Sequence, residues 1–301
     1  MKILLIGGSG QLGSTLIKTK PRDITLIFPK KSDFNLININ QCLKFIDKEN
    51  PDLIINAGAY TNVEQAEEDI EKTFKINYLA TEAIAKKIKS SGSKLIQIST
   101  DYVFDGYKKE PYKANDKKNP KNIYGESKSL GENAIINYLT EEQYIILRTS
   151  WVLSPFRNNF LLKILNLIKN RKTINVVNDQ FGSMTSTYSI AKLIWIIVYS
   201  KNSFKSNFFS PNILHWCDKG ITSWYEIAYL AKEIGMNNGL IENGAEIVPI
   251  STCDLNLKAE RPKFSALDCC ETLNFYQINQ TYWKDSLNKI MQNILNEKNF
   301  L

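Results

Sequence analysis

The sequence predicts an α/β fold in which a doubly wound parallel sheet is joined to a smaller α/β unit, and three observations carry this expectation. A glycine loop, "IGGSGQLG", follows the first apolar run directly and opens a helix. Five runs in the first half are nearly continuous in apolar residues, as strands covered on both faces must be. Amphipathic segments separate these runs, and that alternation is the pattern of βαβ units.

In chain order the strand candidates are "KILLI" (2–6), "ITLIF" (24–28), "DLIINA" (52–57), "KLIQIS" (94–99) and "YIILRTS" (144–150). The helical segments between them run over Gln41–Glu49, residues 67–89 and Tyr124–Tyr138. After Ser150 the rhythm loosens. Residues 158–170 and 186–201 read as helices, "ILHWC" as a strand, and residues 223–235 as a helix capped by Ser223 with Gly235 near its end. The first unit is expected over residues 1–150, with a later segment near 175–200 returning to it, and the second mainly over 151–301.

The 301 residues suffice for two units sharing a core. A net charge of +7 suits anionic ligands, but the lysines are scattered. No arginine-rich helix, zinc-ligand spacing or aromatic-basic strip appears, which argues against a nucleic-acid partner. Five cysteines, at 42, 217, 253, 269 and 270, form no disulfide framework or metal site and read as reduced thiols. The N-terminal apolar run is too short for a signal-peptide core, and "LIWIIVY" is far short of a membrane span. The expectation is a cytoplasmic protein with no membrane partner and no metal-ligand set readable from these residues.

Read as Gly7-x-x-Gly10-x-x-Gly13 or as Gly8-x-Gly10-x-x-Gly13, the glycine loop puts small residues where a backbone turns tightly, approaches a pyrophosphate and packs helix against strand. NAD sites expect an acid at the end of the second strand. Here "ITLIF" ends in Pro29-Lys30-Lys31, and lysines can receive a 2′-phosphate, so NADPH is favoured. Asp33, 20 residues after Gly13, leaves NADH open.

Two Tyr-x-x-x-Lys pairs occur, Tyr124–Lys128 and Tyr188–Lys192. The second lies in a strongly apolar helical run, where packing explains the tyrosine. The first has a context. "QISTDYVFDG" delivers Ser99, Thr100 and Asp101 to the carboxyl end of the fourth strand, the edge at which open α/β sheets bind ligands. Tyr124 and Lys128 then follow one helical turn apart on the next helix.

This constellation resembles the short-chain dehydrogenase/reductase superfamily. "GGSGQLG", "NAGAYTNVEQAE", "KINYLA", "STDYVFDG", "YGESKSLGE", "LRTSWVLS", "NNF", "DQFGSMT", "SWYEIA" and "RPKFSALD" occur in the order and spacing of the dTDP-4-dehydrorhamnose reductase family, from residue 7 to 268. The resemblance implies a Rossmann-type NADP-binding domain, a smaller substrate-binding domain, and NADPH-dependent reduction of a dTDP-4-keto sugar. Departures are Ala57-Gly58-Ala59 for the usual three alanines, Glu64 for an aspartate, Met184 for a proline, and Thr15 where some relatives carry a magnesium-binding glutamate. Thr15 leaves magnesium undecided, and a monomer or weak homodimer is expected.

By the same resemblance Tyr124 protonates the C4 oxygen, Lys128 lowers the tyrosine pKa and holds the nicotinamide ribose, and Thr100 aligns the substrate oxygen. Cofactor contacts fall to Gly7, Gly10, Gln11, Leu12, Gly13, Lys30, Asp33, Phe34, Ala57, Gly58, Ala59, Tyr60, Asn77, Ser99 and Lys128. Asn77 has an equal alternative in a helix-turn hydrogen bond. Asp101, Tyr102, Tyr124, Trp151 and Arg261 are assigned to the sugar nucleotide, with Trp151 otherwise a core anchor. His215, the only histidine, is expected to pack rather than react. Two alternatives stand beside the reductase: an enzyme for another 4-keto deoxysugar nucleotide, and a non-catalytic protein like the methionine adenosyltransferase regulatory subunit, which resembles this family. Dehydratases of the superfamily typically place Asp-Glu after the active-site threonine, whereas Thr100 is followed by Asp101-Tyr102, so dehydration is not expected.

Overall fold

The first half of the chain folds, in order, as Lys2–Ile6 (β1), Gln11–Lys18 (α1), Thr25–Ile27 (β2), Ile39–Glu49 (α2), Leu53–Asn56 (β3), Val63–Ala66 (α3), Ile70–Phe74 (α4), Ala80–Ile88 (α5), Lys94–Thr100 (β4), Ile123–Tyr138 (α6) and Tyr144–Thr149 (β5). The structure is a computed structural model describing residues 1–205 and 211–298. The end of the 151–301 unit, from 299 onward, lies outside the described residues. Each strand candidate forms a strand, and the first, third and fifth are buried along nearly their whole length. Apolar side chains on both faces leave such a strand no solvent side.

The later chain adds Val152–Leu153 (β6), Phe160–Asn170 (α7), Thr173–Val177 (β7), Phe181–Gly182 (β8), Thr185–Ser186 (β9), Thr187–Tyr199 (α8), Ile213–His215 (β10), Thr222–Ser223 (β11), Trp224–Asn237 (α9), Glu246–Ile250 (β12), Cys270–Tyr276 (α10) and Trp283–Lys298 (α11). The main sheet is parallel, in the order β10-β5-β4-β3-β1-β2. Strand order reverses at β1 and β3, so a crevice opens beyond their carboxyl ends, where such sheets bind ligands.

One face of the sheet packs on α1 and α8, through Leu16, Ile190, Leu193, Ile194 and Ile197; the other packs on α2, α5 and α6, through Ile46, Ile84, Ile88 and Ile135. A separate core joins α7, α9, α11 and the parallel β7–β12 pair. Ser223 caps α9 in a full capping box with Glu226. Gly235 lies near the end of that helix, two residues before its last residue, Asn237, and a Cβ there would meet Ile241 at 2.6 Å. α4 and α5 are joined by a π-helical turn, Lys75–Leu79, which carries the buried Asn77.

Candidate active site

The glycine loop is shaped by contacts that admit no side chain. Gly7 has φ +84°, a left-handed conformation suited to glycine, and a Cβ there would lie 2.7 Å from Ala57 C. A Cβ on Gly13 would lie 2.1 Å from Gly7 O. Gly10 caps α1 without a side-chain hydrogen bond, which leaves first-turn N–H groups for an anion. This cradle fits a dinucleotide pyrophosphate. Gln11 lines the cavity beside this cradle, and its side-chain amide donates to Val152 O at 3.3 Å and accepts from Ser154 at 2.8 Å, tying α1 to the later chain.

Asn56 donates to Gln97 at 2.8 Å and accepts from Gly58 N at 3.2 Å, which shapes the loop Ala57-Gly58-Ala59 beside the glycines. Lys30, Lys31 and Asp33 are exposed on the turn after β2. Phe34 is buried in the core with its ring edge-on to Phe45. Asn77 makes no bond within its own turn by its side chain. Instead it accepts from Tyr60 N at 2.8 Å and donates to Tyr60 O at 3.1 Å and Ser127 at 3.0 Å, clamping the loop after β3 to α6.

The N-cap Asn122 starts α6 by accepting from Gly125 N, and its own amide donates to Glu260 O. Gly125 explains itself: a Cβ would lie 2.2 Å from Tyr102 O, so only glycine lets α6 approach the end of β4. A cavity of about 530 Å³ reaches from Gly10, Gln11 and Leu12 past Ala57, Gly58, Ala59, Ser99, Thr100 and Asp101 to Tyr124, Lys128, Trp151 and Arg261. Tyr102 also lines it, edge-on to the Tyr124 ring at 5.7 Å.

Burial pushes the Tyr124 phenol above its ordinary range, against the lowering pull of the Thr100 hydroxyl. Burial pushes Lys128 down to about 8, while the charge of Glu132 pulls it up. Its ammonium donates to Ile98 O at 2.6 Å. The sequence reading expected the lysine to lower the tyrosine; the largest influence on the phenol here is burial, which raises it. Asp101, pushed up to about 6 by burial against the lowering pull of the Ser265 and Thr100 hydroxyls, accepts from Thr100 at 3.0 Å. Arg261 bonds Tyr102 OH at 3.2 Å and lies 3.5 Å from Glu64.

Trp151 is at once a wall of the cavity and part of the second core, with φ +46°, a left-handed backbone unusual outside glycine. Its indole stacks on Trp224 at 3.8 Å and 9°. His215 is buried away from the cavity. Its ring contacts Tyr112 O and Arg148, and burial and then the Arg148 charge hold it down at about 4. Thr15 is buried and donates to Gln11 O, and among the described residues no group of three or more His, Cys, Asp or Glu side chains is placed to hold a metal ion.

The sequence reading missed Trp224 and the buried pair Glu132–Arg148. Glu132 accepts from Arg148 Nε at 2.9 Å and from Nη2 at 2.8 Å. An arginine inside the apolar strand "YIILRTS" was the available signal, because a charge there needs a buried partner.

The family model described as RmlD substrate binding domain matches residues 1–296. The chain is 32% identical over 294 residues to a dTDP-4-dehydrorhamnose reductase of Aggregatibacter actinomycetemcomitans, covering 96% of this chain and 98% of that protein. It is similar to the crystal structure of a dTDP-4-dehydrorhamnose reductase from Clostridium acetobutylicum ATCC 824, with a TM-score of 0.88 and 33% identity, covering 98% of this chain and 100% of that one. The dTDP-4-dehydrorhamnose reductase of Bacillus anthracis str. Ames, solved in complex with NADP, aligns with a TM-score of 0.87 and 28% identity, covering 97% of this chain and 99% of that one.

Proposed function

This chain belongs to the RmlD substrate-binding-domain family, that of the dTDP-4-dehydrorhamnose reductases, and from that premise we propose that it reduces the C4 keto group of dTDP-4-dehydro-L-rhamnose to give dTDP-L-rhamnose. NADPH, when bound, supplies the hydride. The observation that carries the reading is the meeting of Thr100, Tyr124 and Lys128 in one cavity that runs on to the glycine loop.

The chain's own residues then have these tasks. Gly7, Gly10 and Gly13 hold the pyrophosphate, and Lys30 and Lys31 at the second strand's end favour a 2′-phosphate. Thr100 orients the sugar's C4 oxygen by a hydrogen bond. Tyr124, kept neutral by burial, donates its proton to that oxygen. Lys128 stabilises the phenolate that remains. Asp101, Tyr102 and Trp151 hold the sugar ring, and Arg261 belongs to the same wall. Residues 1–150 with α8 and β10 serve the cofactor, and the core of α7, α9 and α11 serves the sugar nucleotide. The same reading places the protein in the cytoplasm as a monomer or weak homodimer, in keeping with five unpaired cysteines.

The test is an assay of purified protein with NADPH and a panel of 4-keto sugar nucleotides, the product identified by NMR. dTDP-L-rhamnose is expected. A product epimeric at C4 would assign a different deoxysugar, and no turnover with any of them would favour a binding role. With dTDP-glucose no 4-keto-6-deoxy product is expected, since burial raises the pKa of Tyr102 further and makes it a poor base.

A further inference from the structure

Tyr124, Lys128 and Glu132 lie at successive turns of one face of α6, and three consecutive residues of β4 meet them. Thr100 faces Tyr124 in the cavity, Ser99 donates to Glu132 at 2.6 Å, and the carbonyl of Ile98 accepts from Lys128. Glu132 is 1% exposed and fully engaged. One oxygen takes Ser99 and Arg148 Nε; the other takes Arg148 Nη2 and Lys118 at 3.1 Å. Arg148 is itself the register partner of Ser99 across β4 and β5. Nothing in the proposed chemistry uses this carboxylate directly, yet it is tied to Ser99, the neighbour of Thr100 on β4, and to Arg148 on β5.

We propose that Glu132 is a positioning residue of the reaction: a carboxylate one turn behind Lys128, clamped by Ser99, Arg148 and Lys118, that keeps the buried lysine charged and fixes α6 against β4. The inference rests on the role given to Lys128 above. Burial favours a neutral amine, and an opposite charge in a low-dielectric site opposes that. Lys128 shares its cavity with Tyr124 from α6 and with Asp101 and Tyr102 from the turn after β4, and the charge that acts on it is Glu132; Arg148 from β5 and Lys118 from the loop before α6 face Glu132, and His215 from β10 faces Arg148. Arg148 and Lys118 are cations, so they oppose a charge on Lys128 and serve it only by holding Glu132 in place. Of the two carboxylates, Asp101 sits in the sugar site and titrates near 6. Glu132 is held down at about 2: burial alone would raise it, but the charge and bonds of Arg148 prevail, so it is the fixed anion.

The test is the pH profile of kcat/KM at saturating NADPH. Glu132→Gln is expected to move the alkaline limb down by a unit or more, so the variant loses roughly fivefold or more near pH 8 and much less near pH 6. Glu132→Asp, which keeps the charge, is expected to restore the wild-type limb. Because Glu132→Gln leaves Arg148 buried without its partner, the Glu132→Gln/Arg148→Met double variant is the second arm, with a smaller shift in the same direction. A limb that stays at the wild-type position in whichever of these folds overturns the proposal and leaves Glu132 a structural residue. Lys128→Met is the separate control: if it retained near-normal turnover, the reading of the active site would fall instead.

Discussion

At the scale of single residues, Tyr124 shows how burial selects a direction of chemistry. A phenol raised above its ordinary range holds its proton at neutral pH and is suited to giving it to an oxygen that gains electrons. Tyr124→Phe keeps the ring against Tyr102 and removes only the hydroxyl. It is expected to lower kcat by roughly 10²–10⁴-fold while NADPH still binds with nearly unchanged affinity, which fluorescence titration would check. Near-normal kcat would send the search for the acid elsewhere. The tyrosine, lysine and threonine were legible because their spacing and their position after an apolar strand carry chemical meaning. Glu132 was not, because a glutamate at a helical position reads as a solvated face until the arginine opposite is seen. The direction of the tyrosine's shift was also hidden, since it depends on how deeply the cavity walls enclose the ring.

At the scale of elements, the loop between β1 and α1 tolerates little change. A methyl group on Gly13 would need room already held by Gly7 O at 2.1 Å. Gly13→Ala is therefore expected to cost roughly 1–3 kcal/mol in denaturant unfolding and to weaken NADPH binding by more than roughly tenfold. The turn after β2 is the opposite case, since Lys30 and Lys31 are exposed and project from the fold. Replacing both with alanine is expected to leave the melting temperature unchanged and to shrink the NADPH-over-NADH ratio of kcat/KM roughly tenfold; equal use of both cofactors by the wild type would refute their role. The main sheet was readable from its apolar runs. The two-residue strands β6, β8, β9 and β11 were not, because so short a stretch has no periodicity and forms only where long-range partners bring it together. The π turn at Asn77 escaped for a similar reason: it is set by the clamp on Tyr60, 17 residues away.

For the whole molecule, the buried charges couple folding to pH in opposing senses. His215 is held at about 4 against a usual 6.5, so the unfolded chain takes its proton first as pH falls. Its contribution is present above pH 6.5 and is lost as pH falls towards 4. Asp101 and Asp218, raised by burial from 3.8 to about 6, bind protons first in the folded state and gain stability over the same descent. A single melting curve mixes these terms, whereas a comparison separates them. The stability gap between wild type and His215→Gln is expected to be widest at pH 7 and to narrow by roughly 3 kcal/mol by pH 4. A gap independent of pH would mean that the imidazole titrates normally.

The stacked indoles of Trp151 and Trp224, parallel within 9° at 3.8 Å on the cavity wall, are close enough for their electronic transitions to couple. Such a pair gives a split circular-dichroism band that single tryptophans do not. Any molecule that seats against Trp151 and tilts the ring changes that splitting, so occupancy of the cavity can be followed optically, without label and without turnover. Trp224→Phe should erase the band while leaving the light absorption of Trp195, Trp216 and Trp283 in place.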